Sequence, residues 1–229
     1  MTNIKLSQRG FSLIEILIAL TLSIIIILAM LRAFATTGKV TAEASLGAKV
    51  DSHIVLGLIT TDRILQGLGY GLTNPTHADF KVLNAAGSEV TDGQPGKFLV
   101  WKVSETNCRA LQSHDKGLYL YGLTDTGYNC SSTGLVKPDD ATPPIPKESL
   151  IQIDQEALTN SGIANATNKI GTLDIQVEQV TGCSPFGVTS GAGIPLGKYQ
   201  VVLTAHPYAA STDSTPRTIE NITCLFNFK

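Results

Sequence analysis

Glu15 stands one helical turn beyond Phe11 in the run Arg9-Gly10-Phe11-Ser12-Leu13-Ile14-Glu15, and it is the one ionisable side chain between residues 11 and 31. Those roughly 21 residues, at about 1.5 Å each, span about 31 Å, close to the ~30 Å hydrocarbon thickness of a bilayer. An acidic residue deep in such a span carries a penalty of about 2.5–3.5 kcal/mol, so Glu15 is expected to have a partner. A cation becomes available at the right depth if the bond after Gly10 is cut, because Phe11 then carries a free α-amine. That amine would lie about a turn from Glu15 in the same helix, and it could equally come from a neighbouring copy.

A short basic leader, a glycine at its end, Phe11 next, Glu15 fifth after the cut and then an unbroken apolar helix resemble the class III signal of type IV prepilins and pseudopilins. The resemblance implies that a prepilin peptidase cleaves between Gly10 and Phe11 and methylates the new Phe11 amine. It also implies that Glu15 pairs with the Phe11 amine of an adjacent subunit during filament assembly. An ordinary secretory signal would instead show an apolar stretch of about 7–15 residues and a small-residue cleavage site after it. Here the apolar run is longer, starts at the cut and contains a glutamate.

The element that must position Glu15 is a long helix. No proline appears before Pro75, and Val50, Ile54, Leu58 and Leu65 recur at spacings of four, four and seven, which places them on one helix face. The helix is therefore expected to run from residue 11 to 66, about 84 Å in all. Its first half, 11–31, would lie in lipid, and its amphipathic second half would rest on the protein's own sheet. Gly38, Gly47 and Gly57 lie inside it, each costing up to about 1 kcal/mol relative to alanine, so this half is expected to bend or loosen. Pilin helices often carry a proline near the membrane exit; Arg32 stands about there in this chain. Gly67, Gly69, Gly71 and Pro75 then end helical preference. The stretch from Asp62 to Gly71 resembles the helix ending of PilW-type minor pilins in its Gly69-Tyr70 pair, although Asp62 and Arg63 fall earlier than in that family and Gln66 occupies the place of its arginine. A plain helix-stopping turn with Tyr70 packed on the sheet accounts for the same residues.

Lys5 and Arg9 precede the span and favour a cytoplasmic leader, which exports everything after Leu31; Arg32 weakens that asymmetry slightly. Net charge moves from −2 to −4 when Lys5 and Arg9 leave with the leader, a balance without general attraction to nucleic acid. About 160 of the 229 residues lie beyond the helix, enough for one domain with a real core. Three parts are expected: a leader at 1–10, the long helix at 11–66 and a β-rich periplasmic head at 67–229. All four cysteines, Cys108, Cys130, Cys183 and Cys224, fall in the exported part. An even count there reads as disulfides, with three possible pairings. Cys108–Cys130 and Cys183–Cys224 are favoured because each closes a moderate loop, contributing roughly 3–4 kcal/mol in the chain-entropy model.

Segments 97–103, 117–123, 150–154, 173–180, 199–205 and 219–228 are rich in β-branched and aromatic residues, and several alternate, as in Leu173-Asp174-Ile175-Gln176-Val177-Glu178. They predict an antiparallel sheet with one solvated face. Residues 139–146 and 182–197 read as irregular loops. With the long helix this is the α+β layout of a pilin head, one sheet packed on the helix's C-terminal half.

No catalytic or metal-binding constellation stands out. His53, His77, His114 and His206 lack zinc-ligand spacing, His114-Asp115 reads as a solvated turn and Ser52 beside His53 as helix surface. The stretch Asp125-Thr126-Gly127-Tyr128-Asn129 lacks the full ligand series of a calcium loop. Asn165 and Asn221 head glycosylation-type triplets that read as coincidental. No enzyme activity, metal or cofactor is expected. What the resemblance implies is a minor pilin anchored in the inner membrane with its head in the periplasm, working by assembly into a pilus that supports twitching, adhesion or DNA uptake. Its partners would be prepilin peptidase, other minor pilins, the major pilin, the assembly platform and membrane lipid. A minor pseudopilin of a type II secretion system shares leader, helix and head and is the alternative. A major filament subunit or a membrane-tethered periplasmic enzyme would need abundance in sheared filaments or a polar catalytic cleft, respectively.

Overall fold

The computed structural model describes residues 12–123, 127–130, 134–140, 143–160, 170–185, 196–208 and 218–229. The chain divides into two compact units, Met1–Ser45 and Leu46–Lys229. One helix, α1 (Leu13–Gln66), enters both. In the first unit every side chain from Ser12 to Ala42 is exposed, and among the described residues α1 is the one helix long and apolar enough to cross a membrane. Toward the end of that run, Thr36, Thr37 and Thr41 each donate a hydroxyl hydrogen bond to the carbonyl four residues back, and a side chain at Gly38 would meet nothing within 4 Å.

In the second unit α1 is followed by β1 (Phe80–Leu83), β2 (Phe98–Lys102), β3 (Asn107–His114), β4 (Gly117–Tyr121), β5 (Tyr128–Asn129), β6 (Lys147–Gln152), the short α2 (Gln155–Asn160), β7 (Leu173–Cys183), β8 (Gly197–Ala205) and β9 (Ile219–Cys224). Among the described residues the single expected sheet is two. One has the order β1-β2-β3-β4-β6 with β5 on β3, the other is β7-β8-β9, and all pairings are antiparallel. Their junction is a bridge between Gly96 and Ile175, where Gly96 N–H donates to Ile175 O at 2.7 Å. Alternation marks strands but carries no record of partners, so the split is invisible in the sequence.

Val50, Ile54, Leu58 and Leu65 of α1 are all buried, packed in one cluster with Trp101, Leu118, Ile151, Ile175, Leu203 and Phe228 among others. Both sheets thus turn one face to the second half of α1. Gly47 and Gly57 do not loosen it. A methyl group at Gly57 would run into the Ile151 side chain and sit 2.7 Å from Leu150 O, and one at Gly47 would run into the Tyr208 ring. These glycines let the head approach the helix closely, a role that helix propensity alone does not reveal.

The first sheet has no fully solvated face. Leu83, Phe98, Val100, Ala110 and Tyr121 form a second buried cluster on its far side, with Leu135 and Ile145 packed against it. A polar knot holds this covering stretch: Gln112 Nε2 donates to Asp139 Oδ2 at 2.6 Å, the Tyr121 hydroxyl lies between Gln112 Oε1 and the Asp139 carboxylate, and Lys147 Nζ donates to that hydroxyl at 3.1 Å. Burial, together with the Asp139 charge, pushes the Tyr121 phenol well above its ordinary range, so it stays a proton donor. β2 is consequently buried on both faces.

The turn entering β1 carries an acid-sensitive lock. Burial alone would raise the Asp79 carboxyl, but Lys102 Nζ at 2.9 Å and the Thr76 N–H at 2.9 Å outweigh it and hold the pKa below the ordinary 3.8. A depressed folded pKa contributes stability that is complete above 3.8 and is lost as pH falls through the lower folded value. Asp79→Asn is therefore expected to destabilise the head at pH 7, with the gap from the parent closing toward pH 2 in acid-unfolding curves.

Candidate functional site

Ser12 caps α1. Its carbonyl accepts from the amides of Glu15 (3.0 Å) and Ile16 (3.3 Å), and its own N–H donates to Glu15 Oε2 at 3.3 Å. Glu15 therefore reaches back to a backbone amide that the helix cannot satisfy, the glutamate half of a capping box, and the positive end of the helix dipole favours its charge there. This uses one oxygen of the carboxylate and leaves capacity for a cation. Gly10 and Phe11, the expected cleavage pair, and the methylation expected on Phe11 lie outside the described residues. From Leu13 to Leu31 the large apolar side chains are exposed, and Thr21 turns its hydroxyl onto Ile18 O at 2.9 Å, satisfying it inside the helix. An exposed apolar surface of this length is at home in lipid or against other apolar helices.

The second half of α1 and the turn after it are fastened to the head by polar contacts along their length. Tyr208 N–H donates to Asp51 Oδ1 at 2.6 Å, His53 Nδ1–H to Gln152 O at 3.2 Å, Thr223 Oγ1 to Asp62 Oδ1 at 2.6 Å and Asn227 Nδ2 to Leu68 O at 2.7 Å. The helix ends where Gly69 takes φ +83° against Phe228. Tyr70, which the plain-turn reading of this stretch would pack on the sheet, is 83% exposed. Only glycine relieves the left-handed strain at position 69, and once that glycine packs on Phe228 the next side chain points outward. Beside these contacts α1 exposes an apolar group made of Val55, Leu56 (62%) and Ile59.

The cysteines pair as Cys108–Cys130 and Cys183–Cys224, with Cα atoms 5.8 and 5.7 Å apart. The first roots β5 and the covering stretch on β3. The second ties the end of β7 to the end of β9 across β8, passing over Gly197, where a side chain would strike Cys224 Sγ. A cavity of about 390 Å³ opens beside α1, lined by Lys49, His53, Lys116, Asp154 and Glu156 over an apolar floor that includes Val50. Among the described residues neither a hydroxyl nor a thiol lines it, and Asp154 Oδ1 is engaged as the cap of α2, accepting from Ala157 N–H at 2.9 Å. His114 Nδ1 accepts the Lys116 amide within its turn, and Ser52 is exposed on the helix. Among the described residues no three His, Cys, Asp or Glu side chains gather as metal ligands; Asp125 and Thr126 lie outside them, as does Asn165.

Residues 5–31 match the family model described as the prokaryotic N-terminal methylation motif. No curated protein and no solved structure matches the chain.

Proposed function

We propose that this chain, a type IV pilin-like or pseudopilin-type protein by its N-terminal methylation motif, serves as a minor pilin in type IV pilus assembly, priming the filament or standing at its tip. Prepilin peptidase cuts after Gly10 and methylates Phe11. The helix then waits in the inner membrane with the head in the periplasm until the assembly platform brings it to other minor pilins and the major pilin. The observation that carries this reading is the motif match together with Glu15, a carboxylate at the start of an exposed, membrane-length apolar helix. While the chain waits, the Ser12 amide and the helix dipole ease the penalty on that carboxylate. On assembly a neighbouring Phe11 amine takes its free oxygen, and the apolar surface of 13–31 exchanges lipid for other helices. The Gly69-Tyr70 helix ending supports placing the chain among PilW-type minor pilins.

The test is Glu15→Leu as the sole copy. Leader removal, read by intact mass and N-terminal sequencing, is expected to be unchanged, whereas incorporation into sheared filaments is expected to drop at least tenfold. Normal piliation with the variant incorporated at the parent level would overturn the reading. A secretion defect with intact pili on deletion would assign the chain to a type II secretion machine instead.

A further inference from the structure

The edges of the two sheets are treated unequally. β1 is closed by the turn that follows it, with Val90 N–H donating to Val82 O at 2.9 Å and Glu89 bridging Leu83. β7 is closed along its first half, where Gly96 N–H donates to Ile175 O and Gly93 N–H to Val177 O at 2.8 Å. β6 lies under α1, with His53 on Gln152 O and Gly57 against Leu150 O. β9 differs. Leu225 N–H donates to Tyr199 O at 2.9 Å, and the antiparallel alternation then turns Ile219, Asn221 and Thr223 toward β8 and the N–H and C=O of Glu220 and Ile222 outward. Among the described residues nothing bonds these outward groups.

We infer that the outer edge of β9 receives an extended strand from another pilin-like subunit, which continues the β7-β8-β9 sheet across the contact. The alternating outward donors and acceptors of Glu220 and Ile222 fit an extended backbone, which a helix, a sugar or a lipid cannot match along the strand. Ile222, 57% exposed, offers an apolar contact on one face of the added strand. Val55 and Ile59 lie on the same flank of α1 as Asp51 and Asp62, which bond to Tyr208 before β9 and to Thr223 within it, so they border the other face. A hollow of about 180 Å³ lined by Asp62, Gln66, Pro185, Ile222 and Thr223 marks the end of this border. Glu220 and Asp62 flank the edge, and among the described residues neither has a cationic partner. The added strand should therefore carry a basic residue, and a second copy of this chain would instead bring acidic groups together. The inference rests on the assembly role proposed above.

Ile222→Pro is the discriminating change, because it removes an outward N–H while leaving the hydrogen bonds to β8 in place, a setting in which an edge strand tolerates proline. The full-length protein would be expressed as sole copy beside Ile222→Thr, Glu220→Lys and Glu15→Leu, and each scored for the two disulfides and for incorporation into sheared filaments. Ile222→Pro and Glu220→Lys are expected to keep both disulfides and lose incorporation at least tenfold, with Ile222→Thr close to the parent. A photoreactive residue at 222 is expected to cross-link to another subunit bearing the methylation motif. Parent-level incorporation of Glu220→Lys, or of an Ile222→Pro that keeps its disulfides, would overturn the inference while a defective Glu15→Leu still upheld the assembly role; normal incorporation of Glu15→Leu would sink that role itself. A cross-link to a second copy would overturn the assignment of the occupant.

Discussion

Replacing Gly57 by alanine is expected to destabilise the head by about 3 kcal/mol, at the upper end of what overpacking a core costs, while the same replacement at Gly38 stabilises its stretch of helix by up to about 1 kcal/mol. One chemical change takes opposite signs because of what each position faces. At Gly57 the new methyl would enter the Ile151 side chain and come within 2.7 Å of Leu150 O, so β6 would have to retreat from α1. Ile151 is itself 1% exposed and sits in the cluster with Ile54 and Leu58, which leaves it no free volume to move into. At Gly38 nothing lies within 4 Å, and only the backbone preference changes. Thermal unfolding of the detergent-extracted protein would read the first as a Tm loss of roughly 6–12 °C for a domain of this size. A Tm within about 2 °C of the parent for Gly57→Ala would show that β6 does not seat on α1 as described.

Removing the Cys183–Cys224 bridge by a double serine replacement is expected to cost about 4 kcal/mol in the chain-entropy account, against about 3.4 kcal/mol for Cys108–Cys130, since the closed loops separate 41 and 22 residues. Position sharpens the difference. Cys108–Cys130 anchors β5, a two-residue strand, to a β3 that β2 and β4 already hold. Cys183–Cys224 joins the outer strands of a three-stranded sheet, and among the described residues β9 is paired on one side only. Hydrogen exchange on the Cys183→Ser/Cys224→Ser protein should accordingly rise first at β9 and spare β3. Equal protection at β9 with and without the bridge would show that pairing to β8 and the Asp62–Thr223 contact suffice.

The parts of this molecule that could be read from the residues are those governed by simple periodicity or by an expensive side chain. A glutamate inside an apolar run is costly enough to announce itself, and the spacing of Val50, Ile54, Leu58 and Leu65 follows from helical geometry, so the α+β layout followed from them. Strands at 98–102, 117–121 and 173–183 carry their β-branched and aromatic residues openly. β3 does not: Asn107-Cys108-Arg109-Ala110-Leu111-Gln112-Ser113-His114 has no apolar alternation, because its Gln112 and Ser113 are buried through hydrogen bonds to Asp139 and to Leu173 O. Burial by long-range polar pairing leaves no local trace. The same holds for Gly47 and Gly57, whose meaning depends on Tyr208 and Ile151, far away in sequence, and for the junction of the two sheets, where Gly93 and Gly96 bond to Val177 and Ile175. At the candidate site Glu15 was legible as an ion in need of a partner; its bond to the Ser12 amide was not drawn from the sequence, although a serine three residues before a glutamate at the start of an apolar run is the signature of such a cap.

The covering stretch on the far side of the first sheet bears on how freely this protein can diverge. Among the described residues it is held by a side-chain knot of Gln112, Tyr121, Asp139 and Lys147 and by a disulfide at its root, and it shares none of them with the cluster that seats α1. Substitutions along it that respect those attachments can change the outward appearance of the head while the helix keeps its bed. The molecule thus separates a face open to sequence drift from a face bound by the geometry of its close-packed glycines.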